Sequence, residues 1–495
     1  MAVTEILQSP LIPGVLPQEI NVLPVGQDII FVVANDDAVY NQTKVKFVAE
    51  VHISGDPYLP PYGGPPNVST TDALIGTFKT TPNNAGVGIF NFRNIIENYV
   101  KADNQGFVFS EFKGTQTGFS TTGIIPPIQL VDKFCMNKNT FRYFAIQFTV
   151  EFLGGDSTLP STAVGSPSGI AVTSSLYGAF NGYVKHSDTN TTEVNSQNIA
   201  EFGLDIQRFR LINSSSEFLT NAPATQNALV NDYGTMSYLL TNSPSANNVN
   251  KLTFIYYNSA GVQIGTEDMD RNVANGAYNT YNAGTSAQIL TFGVFPGNLQ
   301  NWSSTFQALV AANTIQGGYY TVQAKGGFPS TCSQLYRINV NCPDERQFES
   351  IRLCWLNQWG VWDYYTFTKK SIRTLSSKPV TYKQSEGTWN ARGYRTDSFK
   401  GGTKQFRVNT TEKIKINTDY ENENVNVMFE EMTNSIEVYM LKDYSSTMTI
   451  NDLDGAVTPV RVTSSSFTKK TVANDKLIQY TFDIELSKTF RTQSV

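Results

Sequence analysis

Apolar and polar residues alternate with a period of two along much of this chain, the pattern of strands that keep one face in a core. In residues 43–54 (TKVKFVAEVHIS), Val45, Phe47, Ala49, Val51 and Ile53 fall on one side, opposite Lys44, Lys46, Glu50 and His52. The spacing predicts a half-buried strand with His52 solvated on its polar face, not a ligand. Residues 141–152 repeat the pattern through Phe144, Ile146, Phe148, Val150 and Phe152. Residues 86–92 read as a strand leading into a short helix at 93–100, with Ile95, Ile96, Tyr99 and Val100 along one side.

A Gly/Ser/Pro-rich stretch, 154–175, is the best candidate for a linker or long loop. Beyond it, LTFIYY (252–257) followed by Asn258, Ser259, Ala260 and Gly261 predicts a strand entering a turn. A short helix is expected at 305–313, with Phe306, Leu309 and Val310. Residues 351–367 (IRLCWLNQWGVWDYYTF) predict a β-hairpin with an aromatic face, turning at Asn357–Gly360. Farther on, Asp419 is placed to cap a helix through Asn434. Val425, Met428, Phe429 and Met432 recur there at helical spacing. Strands at 436–441, 457–463 and 477–486 close the chain. The expected fold is mainly β with a smaller α+β C-terminal part, built from β-sandwich-like modules. Three divisions are expected: a β-rich 1–155, a β-sandwich-like or small α+β 156–345, and an α+β 346–495 that carries the aromatic hairpin.

Composition narrows the chemistry. The 495 residues are 40% hydrophobic and 12% aromatic, enough for packed cores, but only 16% charged. Polarity comes instead from Asn, Ser, Thr and Gly. A net charge of −5 disfavours nucleic acid as a specific ligand. His52 and His186 are the only histidines. Cys135, Cys332, Cys342 and Cys354 lack zinc spacing and are expected as reduced, mostly buried thiols, with a Cys332–Cys342 bridge left open. No cofactor or metal site is expected. The N-terminus has no basic region ahead of an unbroken apolar run, so a secretory signal is not expected. No stretch approaches the ~20 apolar residues of a membrane span. The six N-x-S/T sequons are what chance produces in a chain this rich in Asn, Ser and Thr.

No phosphate-binding loop, dinucleotide fingerprint, zinc-protease motif or nucleophile elbow is present. Nothing in the sequence pairs two carboxylates for glycoside hydrolysis, and a non-enzymatic role is expected. Trp355, Trp359, Trp362, Tyr364 and Tyr365 have two readings: a sugar-stacking platform, or the filling of a core or subunit interface. Packing is favoured. Charge is uneven: residues 369–415 hold twelve basic residues, Lys369, Lys370, Arg373 and Lys378 among them, against Glu386, Asp397 and Glu412. That run reads either as a solvated strand-and-loop region or as a contact surface for an acidic partner.

In the C-terminal third, WLNQWGVWDYYTFTKKS, KQFRVNTTEKIKINTDY, MTNSIEVYM and SSSFTKKTVANDKLIQYTFDIELS resemble structural virion proteins of tailed bacteriophages, of the kind found in marine and Bacteroidetes phages. LPVGQDIIFVV and FKTTPNNAGVGIFNF, near the N-terminus, are similar in kind. The resemblance implies a tail, neck or baseplate component that self-associates and docks on other virion proteins. It would be assembled in the host cytoplasm and released by lysis. It carries no set of functional residues. The alternative is a host-surface adhesin or fibre whose middle region binds a host glycan; a cell-wall- or capsule-degrading enzyme is the outsider.

Overall fold

A computed structural model describes residues 4–10, 21–53, 73–102, 134–136, 140–153, 160–162, 171–183, 185, 198–199, 206–209, 211–240, 249–270, 288–326, 330–342, 348–442, 457–464, 468–469 and 478–491. Strands dominate, arranged in several sheets with a few short helices. Chain contacts divide into two compact units. The first holds Met1–Cys342 together with Leu356–Asp363, and the second holds Pro343–Trp355 with Tyr364–Val495.

In the first unit, a four-stranded sheet carries Ile30–Ala34 and Val87–Asn91 as neighbours. A larger sheet is built around Thr43–Ile53 and Phe141–Leu153, paired antiparallel with Ala49 opposite Phe148. Rings from both sheets meet in one core. Phe31 lies 5.5 Å from Phe148 and 5.5 Å from Tyr177, and Phe90 lies 5.7 Å from Phe148. Val45, Phe47, Ala49, Val51 and Ile53 are all buried, as their alternation predicts. His52 differs from expectation: it is half-buried, and its ring nitrogens are covered without a hydrogen-bond partner. Phe141–Leu153 also buries Tyr143, Ala145 and Thr149 on its second face, where the alternation predicts solvated positions. Of the proposed linker, Pro160–Thr162 and Val172–Thr173 pair with this strand, and 154–159 and 163–170 lie outside the described residues.

A five-stranded sheet in the same unit centres on Val249–Tyr257 and Tyr319–Gly326. Two short helices, Pro296–Trp302 and Ser304–Ala311, cover it. Trp302 meets Phe254 at 5.6 Å and Phe306 meets Tyr256 at 5.6 Å. Ser303 starts the second helix, its hydroxyl oxygen accepting the Phe306 N–H at 2.9 Å. Arg93–Ile96 is helical and tightens to a 3₁₀ turn at Glu97–Tyr99, a shorter helix than the apolar spacing predicts.

The second unit is one eight-stranded sheet with a helix, Asn426–Asn434, packed on it. Phe429 meets Tyr365, Phe482 and Tyr480 at 5.0, 5.3 and 5.4 Å. Val425, Met428 and Met432 are buried beside it, so the predicted stripe is the one that docks. The cap is not Asp419, however. A 3₁₀ turn, Glu423–Val425, precedes the helix, and its cap is Asn422, whose side chain accepts the Asn424 N–H. Asp419 lies too far upstream to reach that turn and instead pairs with Lys369 at 3.0 Å. Neither Cys332, which is buried, nor Cys342, which is exposed, is in a disulfide, so no bridge forms between them.

Candidate interaction surface

The aromatic hairpin forms as strands Ile351–Leu356 and Trp362–Phe367. Every residue of the first strand is buried, so it has no solvated face. Trp355, Trp359, Trp362 and Tyr364 are core side chains of this chain, leaving no open ring for a sugar or partner. Tyr365 is half-buried, donating its hydroxyl to Glu421 at 2.6 Å. Burial and the neighbouring Glu421 carboxylate raise the Tyr365 pKa. Burial likewise raises that of Glu421, against the opposing hydrogen bond from Tyr365.

The turn between the strands belongs to the first unit and is tied there by its own polar groups. Asn357 Oδ1 accepts the N–H groups of Trp359 and Val361 at 2.9 and 3.2 Å, and its amide donates to the Leu219 carbonyl at 3.0 Å. Gly360 takes φ +74°, and a Cβ there would lie 2.0 Å from the Asn181 carbonyl oxygen. Only glycine fits both the left-handed backbone and that close approach. Trp359 packs 4.7 Å from Phe209, with the Arg208 guanidinium 5.2 Å from its ring. Asp363 follows this turn and is buried; it accepts a 2.6 Å hydrogen bond from Thr220 Oγ1, and the Asn357 side chain and the Asn221 backbone also favour its carboxylate. Burial pushes its pKa up to about 6, with the Thr220 bond pulling the other way.

The basic run lies on a different element. Ile372–Gln384, the edge strand of the eight-stranded sheet, pairs along its whole length with Gly402–Asn417, from Ile372 opposite Lys415 to Gln384 opposite Gly402. The inner strand has a second neighbour only at Lys413–Asn417, against Thr481–Leu486, and at Asn409–Thr410, against Phe490–Arg491. Among the described residues, no further strand is seen to pair with Gly402–Arg407 besides the edge strand. At ~3.4 Å per residue this stretch of two-stranded ribbon runs about 20 Å. Its side chains are exposed or half-buried on both faces. A bulge between Val380 and Thr381 marks its midpoint, and Tyr382 meets Phe406 edge-on at 6.4 Å. An isolated two-stranded ribbon is marginal in water, and this one is anchored by continuing into the sheet.

The structure divides the four basic candidates between root and ribbon. At the root, Lys369 is held by Asp419, and Arg373 is clamped between Glu412, at 2.6 Å, and Glu349. The Arg373 hydrogen bonds hold the Glu349 carboxyl below its usual pKa, and those carboxylates raise that of Arg373. Lys370 is exposed. Lys378 and Lys383 lie on the edge strand, Arg407 on the inner strand and Arg392 in the loop between them, and none of these four has a carboxylate in ion-pair range among the described residues. The aromatic residues of the ribbon and its tip, Trp389, Tyr394, Phe399 and Phe406, escape the sequence reading. Their one signal is negative: outside Ile414 and Ile416, the flanking strands carry no continuous apolar stripe to bury.

Among the described residues, no group of His, Cys, Asp and Glu is arranged to hold a metal ion, and no helix is long and apolar enough to cross a membrane. Compared with known proteins, the chain matches no protein-family model and no curated protein sequence.

Proposed function

We propose that this chain is a non-enzymatic structural subunit of a tailed-phage virion, in the tail, neck or baseplate, that works by self-association and by docking on neighbouring subunits. The observation that carries the reading is the ribbon formed by Ile372–Gln384 and Gly402–Asn417. Its outer part, Pro379–Gln384 with Gly402–Val408, has side chains exposed or half-buried on both faces and adds little to the chain's own core. Such an element is favoured where a neighbour completes it. The resemblance of residues 346–495 to virion proteins and the low-charge, Asn- and Thr-rich composition support the same assignment.

Two measurements test it. Mass spectrometry of gradient-purified particles should find the chain at structural copy number, and labelled antibody should mark the tail or its junction. Sedimentation of the purified chain should show concentration-dependent association. Absence from purified particles would defeat the virion assignment. Polysaccharide cleavage lost on mutating a single carboxylate would defeat the non-enzymatic one.

A further inference from the structure

Residues 385–401, between the ribbon strands, form a loop with internal order. The Thr388 N–H donates to the Arg395 carbonyl at 3.0 Å. Asp397 is buried, 3.0 Å from Arg395 Nε and 3.2 Å from Lys400 Nζ. Trp389 Nε1 donates to the Glu386 carbonyl at 2.8 Å, fixing the indole, and Tyr394 meets that ring edge-on at 5.7 Å. The loop is thus held by its own polar contacts, yet Trp389 is 74% exposed, Phe399 68% and Tyr394 60%. With Phe406, 42% exposed on the adjoining ribbon, these rings expose roughly 400–600 Å² in total, much of the ~800 Å² that each partner contributes to a standard interface. Tryptophan and tyrosine held in place before binding are the usual anchors of such contacts, because little side-chain freedom is then lost.

Charge identifies what the tip would meet. Residues 372–417 hold ten basic and three acidic residues, whereas the first compact unit holds sixteen basic and twenty-four acidic ones, a net −8. The free edge of the ribbon carries Pro379 between Lys378 and a later Lys383, which oppose the addition of another strand. Contact through the rings and cations, not through backbone pairing, is the mode left open.

We propose that this tip docks on the acidic first unit of a second copy of the chain, with Trp389 as the anchor and Lys378, Lys383, Arg392 and Arg407 steering the approach. The inference rests on the self-association proposed above and names its element and its target. Because tip and target are different surfaces, the contact is head-to-tail and builds a ring or a filament.

A photo-reactive benzoylphenylalanine placed at Trp389 of the full-length chain tests the target. The expected product is a cross-linked pair of chains, with the second attachment within residues 4–342. The triple variant Trp389→Ala/Tyr394→Ala/Phe399→Ala should weaken self-association by ~100-fold or more, with circular dichroism unchanged because all three rings are exposed. Reversing Lys378, Lys383, Arg392 and Arg407 to Glu should slow association ~10-fold or more at low salt and matter little at high salt. Wild-type association with an unaffected triple variant would overturn the docking assignment alone. So would cross-links confined to the same chain, or Trp389-dependent binding of a glycan array by a monomer. A wild-type chain that stays monomeric would overturn both this inference and the self-association it rests on.

Discussion

Replacing Asp363 with asparagine separates the charge of a buried carboxyl from its shape. Burial raises the pKa of this group from 3.8 to about 6, so the folded chain holds the proton more tightly than the unfolded one. Since the native state binds the extra proton, unfolding free energy falls as pH rises from about 4 to somewhat above 6. At 1.36 kcal/mol per pKa unit, the cost of the ionised carboxylate reaches about 3 kcal/mol once both states have lost the proton. Asparagine keeps the acceptor for Thr220 and carries no charge at any of these pH values. Asp363→Asn should therefore match the wild type below about pH 4 and exceed its stability by ~3 kcal/mol above about pH 7. The assay is chemical denaturation of both proteins across this range, followed by tryptophan fluorescence, with Trp359 in the same buried turn. Taking the difference between the two proteins cancels the titrating groups that do not interact with Asp363. A difference that does not change with pH, or that favours the wild type as pH rises, would refute the idea of a carboxyl buried at the cost of its charge.

Three further substitutions test the packing. Trp359→Ala removes a ring buried against Phe209 and should cost about 3–5 kcal/mol in urea denaturation; a loss under about 1 kcal/mol would show that the site is not packed as described. Gly360→Ala forces a side chain into the left-handed region and onto the Asn181 carbonyl, and should lower the melting temperature by several degrees, a loss of at least ~1–2 kcal/mol; an unchanged melting temperature would remove the close approach. Arg373→Ala breaks pairs with Glu349 and Glu412 that are all substantially solvated, so equilibrium unfolding should register no more than about 1 kcal/mol. A larger loss would make that clamp a fixed part of the root of the ribbon.

Local pattern carries a strand as far as its two faces differ. Thr43–Ile53 is legible because its apolar residues, Val48 apart, lie on one face and its polar ones mostly on the other. The hairpin is legible as a hairpin, but not in its burial. Arg352, Asp363 and Thr366 occupy polar positions in the pattern and are buried all the same, Arg352 donating to Thr366 at 2.7 Å. A buried polar group is invisible in a sequence when its partner lies elsewhere in the chain, as Thr220 does for Asp363. The Asp419 cap fails for a related reason. Asp419, Asn422, Asn424 and Asn426 follow one another closely in the sequence, and the backbone path starts the turn at Asn422, beyond the reach of Asp419.

By itself the sequence determined the mainly β character, the helix stripe of Val425, Met428, Phe429 and Met432, the aromatic hairpin and the concentration of positive charge after residue 368, because each follows from neighbours along the chain. Only the tertiary structure decided that the tryptophans of the hairpin are interior, that Lys369 and Arg373 are held by acids of their own chain, and that Trp389, Tyr394 and Phe399 are not buried. Those outcomes depend on which strands stop pairing and where. Among the described residues, the inner ribbon strand has its second neighbours at Asn409–Thr410 and Lys413–Asn417, against Phe490–Arg491 and Thr481–Leu486. Where the sheet ends, both faces of the ribbon open to solvent, and an aromatic residue there becomes surface.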